Sequence, residues 1–429
     1  MKSTYWLTNG RVPRSLLIGE ISNYLGDRYG LVGVHLLIKD GRIEAIVPHG
    51  WQEFGDIPQV NLNSGIVLPC FVDVHTHLDK GHIWARCPNP DGSFSSALSA
   101  VLGDYPHWNY GDIYKRMEFG LRCSYTHGTR AIRTHLDCPP ELVRTVISVF
   151  QDLRQAWQGK IILQATALVT LDQYAGAYGE ELADQMAEIG GILGGVAYMH
   201  PDLDQQLDRL LQLAKARNLG VDLHTDENGD PDSCTLWKTA QAVLRNQFTG
   251  QVTCGHCCSL SVQAPEQVAR TIELVKTANI HIVSLPLCNL YLQDRQPNRT
   301  PYWRGITRIQ ELANHGVPVS LASDNCRDPF YAFGDHDLLQ VFTLSVLIAH
   351  LDLNYNDWLP SVTSIPSQIM NLPTPALIGV GLPADLILFS ARNYNELLSR
   401  PQTDRRLIRN GDFIEPALPS YQELDYLWS

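Results

Sequence analysis

Two histidines separated by one residue, His75 and His77, follow an apolar run in the segment LPCFVDVHTHLDK. The run is typical of a buried strand, and side chains two positions apart on a strand point to the same face. Both imidazoles should therefore lie close together at the end of that strand. Surface exposure is the ordinary alternative, but two histidines in phase at the mouth of a buried strand are more often metal ligands. The segment predicts half of a metal site.

Further polar residues stand at or just after the ends of other predicted strands: His224, Glu227, His256 and Asp324. Taken alone, each has an ordinary explanation, since a strand-end aspartate, for example, usually caps the next helix. The coincidence of all of them at one predicted edge weakens that explanation. Three imidazoles and a carboxylate can hold a divalent metal and leave one position open for water. Because such a metal lowers the pKa of water, the set predicts hydrolytic chemistry near neutral pH.

The middle of the chain alternates predicted strands with predicted helices. Strands are expected at 164–171, 220–224, 251–256, 280–286 and 317–324, and helices at 203–220, 264–279 and 306–316. This alternation predicts a parallel sheet with crossover helices. In a (β/α)₈ barrel the C-terminal strand ends build the active site, and the candidate residues fall at those ends.

Both ends of the chain are rich in short strands with turn signals. The clearest hairpin signals are Asp40-Gly41 in HLLIKDGRIEAIV and Asn410-Gly411 in RRLIRNGDFIE. We therefore expect the two termini to form one small β-sandwich around the barrel sequence. The expected division is 1–66 and 381–429 for the β-sandwich, with 381–429 including a C-terminal tail, and 67–380 for the barrel.

Composition limits the class of partner. The chain has 429 residues and a net charge of −12, which disfavours nucleic acids and anionic membranes. Neither a signal peptide nor a run of about 20 apolar residues is present in the sequence. Ten cysteines without a secretion signal indicate reduced thiols, so a cytoplasmic protein is expected. We expect a small-molecule substrate and a homo-oligomer.

The same motifs resemble the amidohydrolase superfamily and, within it, the bacterial cytosine deaminase group. The resemblance covers roughly residues 30–415 and is carried by VHTHLDK, HTDENGD, GHCCSL and ASDNCRDPFYAFGDHDLLQV. It implies a distorted (β/α)₈ TIM barrel with a β-sandwich made from both termini. It also implies that His75, His77 and His224 are metal ligands. Asp324 would be the last ligand and a base, Glu227 would carry protons, and His256 would stabilise the intermediate.

The resemblance further implies how many metals are bound. Members with two metals use a carboxylated lysine or a glutamate at the end of the fourth strand. That strand is expected to be QATALVTL, which ends in Leu171-Asp172-Gln173, and the nearby Lys160 lies at its opposite end. A single divalent ion, Zn²⁺ or Fe²⁺, is therefore expected.

The residues facing the substrate depart from the cytosine deaminase pattern. Leu171 or Asp172 falls near the place of a glutamine that reads the pyrimidine; the nearest glutamine is Gln173, and the sequence does not fix the register of this turn. An aspartate after the last metal ligand is replaced by Asn325. Lys80, in HLDK, also occurs in relatives that remove an alkylamine from a triazine, such as N-isopropylammelide aminohydrolase. The candidate substrate-binding residues are Lys80, Phe94, Leu171, Asp172, Asn325 and Phe330.

Three kinds of function remain open from the sequence. The favoured one is a hydrolase that acts on the C–N bond of a cyclic amidine and removes ammonia or an amine from a small nitrogen heterocycle, either a cytosine-like ring or an N-substituted aminotriazine. The second is a ring-opening cyclic amidohydrolase, which the missing fourth-strand lysine disfavours. The third is a non-catalytic relative, which the complete set of four ligand positions disfavours.

Overall fold

The computed structural model describes residues 4–20, 24 and 26–428. The strands are β1 Tyr5–Pro13, β2 Leu31–Lys39, β3 Arg42–Pro48, β4 Gln59–Asn61, β5 Val67–Pro69, β6 Phe71–Thr76, β7 Thr129–Asp137, β8 Ile162–Leu168, β9 Leu193–Ala197, β10 Val221–Thr225, β11 Val252–His256, β12 Ile280–Ser284, β13 Val319–Leu321, β14 Leu386–Leu388, β15 Arg406–Arg409 and β16 Asp412–Ile414. The helices are α1 Phe94–Asp104, α2 Tyr110–Thr126, α3 Val143–Ala156, α4 Ala177–Glu188, α5 Leu203–Ala216, α6 Thr235–Arg245, α7 Pro265–Thr277, α8 Pro286–Leu292, α9 Ile309–Asn314, α10 Leu338–Ala349, α11 Tyr355–Trp358, α12 Ser364–Ile369 and α13 Tyr394–Leu398.

One compact unit is built from Met1–Val72, Tyr125–Ala131 and Leu338–Leu418. It contains two four-stranded sheets, with strand orders β3-β2-β1-β4 and β16-β15-β14-β5. Apolar side chains of both sheets form one buried cluster, which gives the sandwich its core. The predicted hairpins are confirmed, because β2 pairs with β3 and β15 with β16 in antiparallel register. Both turn pairs, Asp40-Gly41 and Asn410-Gly411, have the positive φ angles that two-residue hairpins require.

The other compact unit consists of Asp73–Ser124, Ile132–Asp337 and Pro419–Ser429. Its strands form a five-stranded sheet in the order β13-β12-β11-β10-β9, and β6-β7-β8 form a three-stranded sheet. Isolated parallel bridges join β8 to β9, at Thr166–Ile192 and Thr170–Val196, and join Thr76 to Asp324 just after β13. The eight strands β6 to β13 therefore close into a ring, and the predicted (β/α)₈ barrel is confirmed. The sparse joints between the two sheets account for its distortion.

The predicted elements of the barrel are found close to their expected positions. The expected helices correspond to α5, α7 and α9, and Pro265 stands at the start of α7 as a proline in the first helical turn should. The strand expected at 317–324 is shorter, since β13 ends at Leu321 and Asp324 lies three residues beyond it. Within the described ranges, no helix combines the length and the apolar character that crossing a membrane requires.

Candidate active site

Four imidazoles and one carboxylate meet at the C-terminal ends of barrel strands. His75 and His77 come from the end of β6, His224 from β10, and Asp324 from the segment after β13. The Nε2 atom of His77 lies 3.3 Å from His224 Nε2 and 3.3 Å from Asp324 Oδ1. His75 Nε2 lies 3.6 Å from the same carboxylate oxygen. The ring of His135, from the end of β7, packs against His75 with 3.9 Å between ring centroids.

The backbone after β13 is tied to β6, which brings Asp324 to the two histidines. The Asp324 amide donates to the His75 carbonyl at 2.9 Å, and the Thr76 hydroxyl donates to the Asp324 carbonyl at 2.9 Å. Asp324 adopts a φ of +63°, which turns its side chain out of the strand direction. One residue earlier, the Ser323 amide donates to the Asp73 carboxylate at 3.2 Å. Hydrogen bonds to three residues of β6 therefore fix the register of this segment.

The atoms of this cluster suit a divalent cation. Ligands of a tetrahedral zinc ion at about 2.0–2.2 Å stand about 3.3–3.6 Å apart, and the three separations measured between His75, His77, His224 and Asp324 lie in that range. Among the described residues, neither nitrogen of His75 and neither carboxylate oxygen of Asp324 makes a hydrogen bond. Buried polar atoms without partners are costly, and a bound cation would satisfy them.

The electrostatics of the cluster agree with metal binding. Burial, together with neighbouring imidazoles, lowers the pKa of His75, His77 and His224 well below the usual histidine value, so the rings are neutral as ligation requires. Burial raises the pKa of Asp324 to about 8, and the Asp328 charge adds to the rise. A cation beside Asp324 would compensate the buried negative charge.

Two further polar groups face each other beside this cluster. His256, the last residue of β11, places Nδ1 3.3 Å from Glu227 Oε1. Burial lowers the pKa of His256 to about 3, so the ring is neutral. Burial and the nearby Asp324 raise the pKa of Glu227 well above the usual glutamate value, and Lys80 opposes the rise. A carboxyl group shifted in this direction holds a proton more readily than an ordinary glutamate, which suits it to proton transfer.

The loop that carries Glu227 is held by the residue before it. Asp226, with a φ of +49°, accepts hydrogen bonds from the amides of Thr235 at 2.6 Å and Leu236 at 3.0 Å, and thereby caps the start of α6. The Ser259 amide donates to the Asp226 carbonyl at 3.1 Å. The segment HTDE therefore contains a ligand position, a structural cap and a cavity-facing acid in succession.

Of these groups, His77, His224, Glu227 and His256 line a cavity of about 640 Å³, a size typical of small-molecule sites. Helix α1 supplies much of one wall, because its residues Phe94, Leu98, Val101 and Leu102 recur on one helical face. Val169, Val196, Tyr198 and Phe330 complete an apolar lining. The rings of Phe94 and Phe330 meet edge to face with centroids 5.4 Å apart. The cavity thus combines a polar floor with apolar walls suited to a flat ring.

Lys80 is a further polar residue that lines the cavity, and it lies beside Phe330. The Lys80 ammonium lies 2.7 Å from Asp137 Oδ1 and 5.5 Å from the centre of the Phe330 ring. Tyr105 donates to the other Asp137 oxygen at 3.1 Å. Burial lowers the pKa of Lys80, but Asp137 and Asp79 outweigh burial and the net shift is upward. Lys80 is therefore a fixed positive charge at this wall.

The structure corrects the expected position of QATALVTL in the barrel. This segment forms β8, the third barrel strand counted from β6, and the fourth strand is β9, which, with the two residues after it, contains neither lysine nor glutamate. The side chains that follow β8 also differ from the expectation. Leu171 is buried, with 2% of its surface exposed, and its side chain faces the backbone of Gly195 rather than the cavity. Asp172 is exposed, and neither residue lines the cavity. Thr170 and Gln173 line it instead. The reason is a 3-10 turn at Leu171–Ala175, which rotates successive side chains by about a third of a turn rather than alternating them.

Of the other predicted site residues, Lys80, Phe94, Asn325 and Phe330 line the cavity together with His77, His224, Glu227 and His256. Sequence reasoning missed His135 and Asp137, which lie on β7. A signal was available, since Thr134-His135-Leu136-Asp137 repeats the tetrapeptide at 76–79. It also missed Asn289 on α8, for which the sequence holds no comparable signal.

Comparison with known proteins shows similarity over nearly the whole chain. The amidohydrolase family model matches residues 151–420. Pterin deaminase from Rhizobium rhizogenes (strain K84) is 49% identical over 421 residues, which cover 98% of this chain and 95% of that protein. N-isopropylammelide isopropyl amidohydrolase from Pseudomonas sp. (strain ADP) is 22% identical over 90% of this chain and 92% of that protein. The crystal structure of 5-methylcytosine deaminase from Klebsiella pneumoniae with 5-fluorocytosine superposes with a TM-score of 0.82 at 24% identity, covering 96% of this chain and 97% of that one.

Proposed function

The chain belongs to the amidohydrolase family, and we propose that it is a metal-dependent hydrolase that removes the amino group of a 2-amino-4-oxopteridine ring as ammonia. The observation that carries the reaction is the cluster of neutral histidines, Asp324 and Glu227, of which His77, His224, His256 and Glu227 line a ring-sized cavity. The sequence resemblance to the amidohydrolase superfamily is confirmed at the level of the family. The substrate class rests on the pterin deaminase relative and on the cavity walls.

His75, His77, His224 and Asp324 are the residues proposed to hold one divalent ion, Zn²⁺ or Fe²⁺. Three measured distances among their atoms, together with the unpartnered nitrogens of His75 and the unpartnered oxygens of Asp324, support this set. When bound, the ion supplies a Lewis acid that makes hydroxide available near neutral pH. His135 lies beside the set, and both of its ring nitrogens also lack hydrogen-bond partners among the described residues. It is left out of the proposed set because the motifs of the family resemblance carry over only His75, His77, His224 and Asp324.

The protein groups then move protons during the hydrolysis. Glu227, whose raised pKa lets it carry a proton, is proposed to protonate the ring nitrogen next to the carbon under attack. His256 Nε2 is proposed to donate a hydrogen bond to the oxygen that develops negative charge. The free carboxylate oxygen of Asp324 takes the proton released by the attacking water and passes it to the leaving amine. Water adds to the ring carbon, the C–N bond breaks as ammonia leaves, and the hydroxyl proton of the intermediate returns to Glu227 as the ring carbonyl forms.

The remaining groups are proposed to recognise the ring. Asn325 uses its amide nitrogen to donate to Asp328 at 2.8 Å, which leaves its oxygen as an acceptor for a ring N–H. Lys80 offers a donor to a ring oxygen, and Gln173 lines the same cavity. The apolar walls formed by α1 and Tyr198 extend the cavity beyond what a single six-membered ring would fill. A bicyclic aminopteridine fits this combination better than cytosine does.

The test is a comparison of ammonia release from pterin, cytosine, guanine and aminotriazines by the purified, metal-loaded enzyme. We expect the highest kcat/KM for pterin, with the 2-oxo product identified by mass spectrometry. A higher kcat/KM for cytosine or an aminotriazine would overturn the substrate class but retain the reaction. No ammonia from any of these rings would overturn the proposed reaction itself.

A further inference from the structure

Helix α8 and the residue after it contact two of the groups assigned to the reaction. Asn289 is fully buried and places its amide nitrogen 2.9 Å from His256 Nδ1. One helical turn later, Gln293 donates from its amide nitrogen to the Glu227 carbonyl at 3.1 Å. These contacts come from a helix that supplies none of the proposed metal ligands. Through these contacts, α8 and Gln293 influence the protonation of His256 and the backbone position of Glu227.

The amide nitrogen of Asn289 can only donate, so the His256 Nδ1 that faces it must be the acceptor. A neutral imidazole with an accepting Nδ1 carries its proton on Nε2. Within the described residues, His256 Nε2 has no hydrogen-bond partner. A ligating atom of His256 lies within 4.8 Å of ligating atoms of His75 and Asp324, so the ring reaches the centre of the site. The Nε2–H group is thus free to donate to a substrate.

We propose that Asn289 is a positioning residue that holds His256 in the Nε2–H tautomer, so that His256 acts as a hydrogen-bond donor to the reacting oxygen. This inference rests on the proposed function for the role of the donor, but the tautomer itself is a property of the resting enzyme. Asn289 does not line the cavity, so it acts on the substrate only through His256.

The tautomer of His256 also affects the neighbouring Glu227. Its Oε1 lies 3.3 Å from the same Nδ1 atom and, when ionised, can only accept. Without the donor from Asn289, Glu227 would stabilise a proton on Nδ1 and leave Nε2 as an acceptor. The same pairing would engage the carboxylate that must carry a proton to the ring. Asn289 therefore prevents a hydrogen bond from His256 Nδ1–H to the Glu227 carboxylate.

The Asn289→Asp and Asn289→Leu variants test whether Asn289 sets the tautomer of His256. Aspartate has the shape of asparagine but only accepts, so it should favour the Nδ1–H tautomer and lower kcat for ammonia release by about 10²–10⁴, the range for losing a positioned donor or acid–base group. KM should change little, since Asn289 is not in the cavity wall. Leucine removes the donor without adding an acceptor and should lower kcat less than aspartate does. Metal content is measured for each variant and should equal that of the wild type.

Two outcomes of this experiment would overturn the proposal. Retention of wild-type kcat by Asn289→Asp would show that the asparagine side chain accepts from Nδ1–H instead. Equal and small effects of both variants would show that Asn289 does not set the tautomer. The exposed Asn218, changed to Asp, is the matched control for the same substitution outside the site and should leave kcat unchanged.

A second measurement needs neither a variant at position 289 nor turnover. The wild-type enzyme labelled with ¹⁵N-histidine is compared with His256→Gln, and the signals that disappear belong to His256. A pyridine-type Nδ1 and a pyrrole-type Nε2 are expected, and the reverse pattern would overturn the proposal even if the variants failed to fold. Failure of the proposed function would appear separately, as absence of ammonia release with this nitrogen pattern intact.

Discussion

Replacement of Glu227 by glutamine separates proton transfer from metal binding. Glutamine has nearly the same shape and keeps an oxygen that can occupy the Oε1 position, 3.3 Å from His256 Nδ1. The side chain is only 10% exposed, so solvent has little access to replace the lost acid. We therefore expect the variant to fold and to retain its metal, because Glu227 is not among the residues proposed to bind it.

The magnitude follows from the role assigned to the carboxyl group. Loss of a positioned general acid–base group lowers rates by about 10²–10⁴, which is about 2.7–5.4 kcal/mol in activation free energy at 25 °C. Burial and Asp324 raise the pKa of Glu227, so the native group is tuned for proton transfer and the loss should fall in this range. KM should change less than kcat, because the interaction is made mainly in the transition state.

The assay pairs kcat for ammonia release from pterin with metal content by mass spectrometry on the same sample. The Glu141→Gln variant is the matched control, since Glu141 is an exposed carboxylate on the wall of the same cavity. It should keep both kcat and metal. Loss of the metal from Glu227→Gln would make Glu227 a ligand and refute the assignment. A kcat within a factor of ten of wild type would refute its role in proton transfer.

Three further predictions test the metal, the substrate and the barrel interior. One divalent ion per chain is expected, lost in His77→Asn and kept in His135→Asn; elemental analysis that finds two tightly held ions, or loss in His135→Asn alone, would contradict the proposed ligand set. Gln173→Ala should raise KM for pterin with little change in metal content, and an unchanged KM would place Gln173 outside substrate recognition. Arg133→Met should lower the free energy of unfolding by about 3–5 kcal/mol in urea, because it leaves Asp222, 2.9 Å from the Arg133 guanidinium, buried without a partner; a double variant that also carries Asp222→Asn should recover part of the loss.

The turns, helices and strands could be predicted from the sequence wherever a local pattern has a single physical cause. Asp-Gly and Asn-Gly turns demand positive φ angles, and helices such as α5 have an apolar stripe and a clear stop. Strands β7 and β9 were missed because contacts with distant parts of the chain, rather than the usual apolar pattern of a strand, decide which residues they contain. In β9, a side chain at position 194 would stand 2.4 Å from the Asp222 carbonyl oxygen, so glycine replaces the apolar residues that mark a strand. In β7, the charged Arg133 is buried because Asp222 on another strand pairs with it.

The residues proposed to bind the metal and assist the reaction were easier to predict than the residues proposed to bind the substrate ring. His75, His77, His224 and His256 lie in strands or directly after them, where the alternation of side chains fixes their direction. The residue after a strand end has no such constraint. A 3-10 turn, rather than continued strand, decides that Gln173 and not its two predecessors lines the cavity. The wall from α1 likewise depends on where that helix packs, which no short segment of sequence encodes.

Position 325 shows how the surroundings decide what a departure from a family pattern means. An asparagine in place of aspartate is expected to exchange an acceptor for a group that can also donate. In the structure, Asp328 accepts the Asn325 amide hydrogen at 2.8 Å, so the donor is already used. The remaining oxygen has only a weak contact with the Cys288 thiol, at 3.6 Å, and still presents an acceptor. The substitution therefore removes a negative charge without reversing the hydrogen-bond pattern offered to the ring. Discrimination between heterocycles must then come mainly from Lys80, Gln173 and the apolar walls, which is why a larger ring rather than an inverted donor pattern is the change we infer.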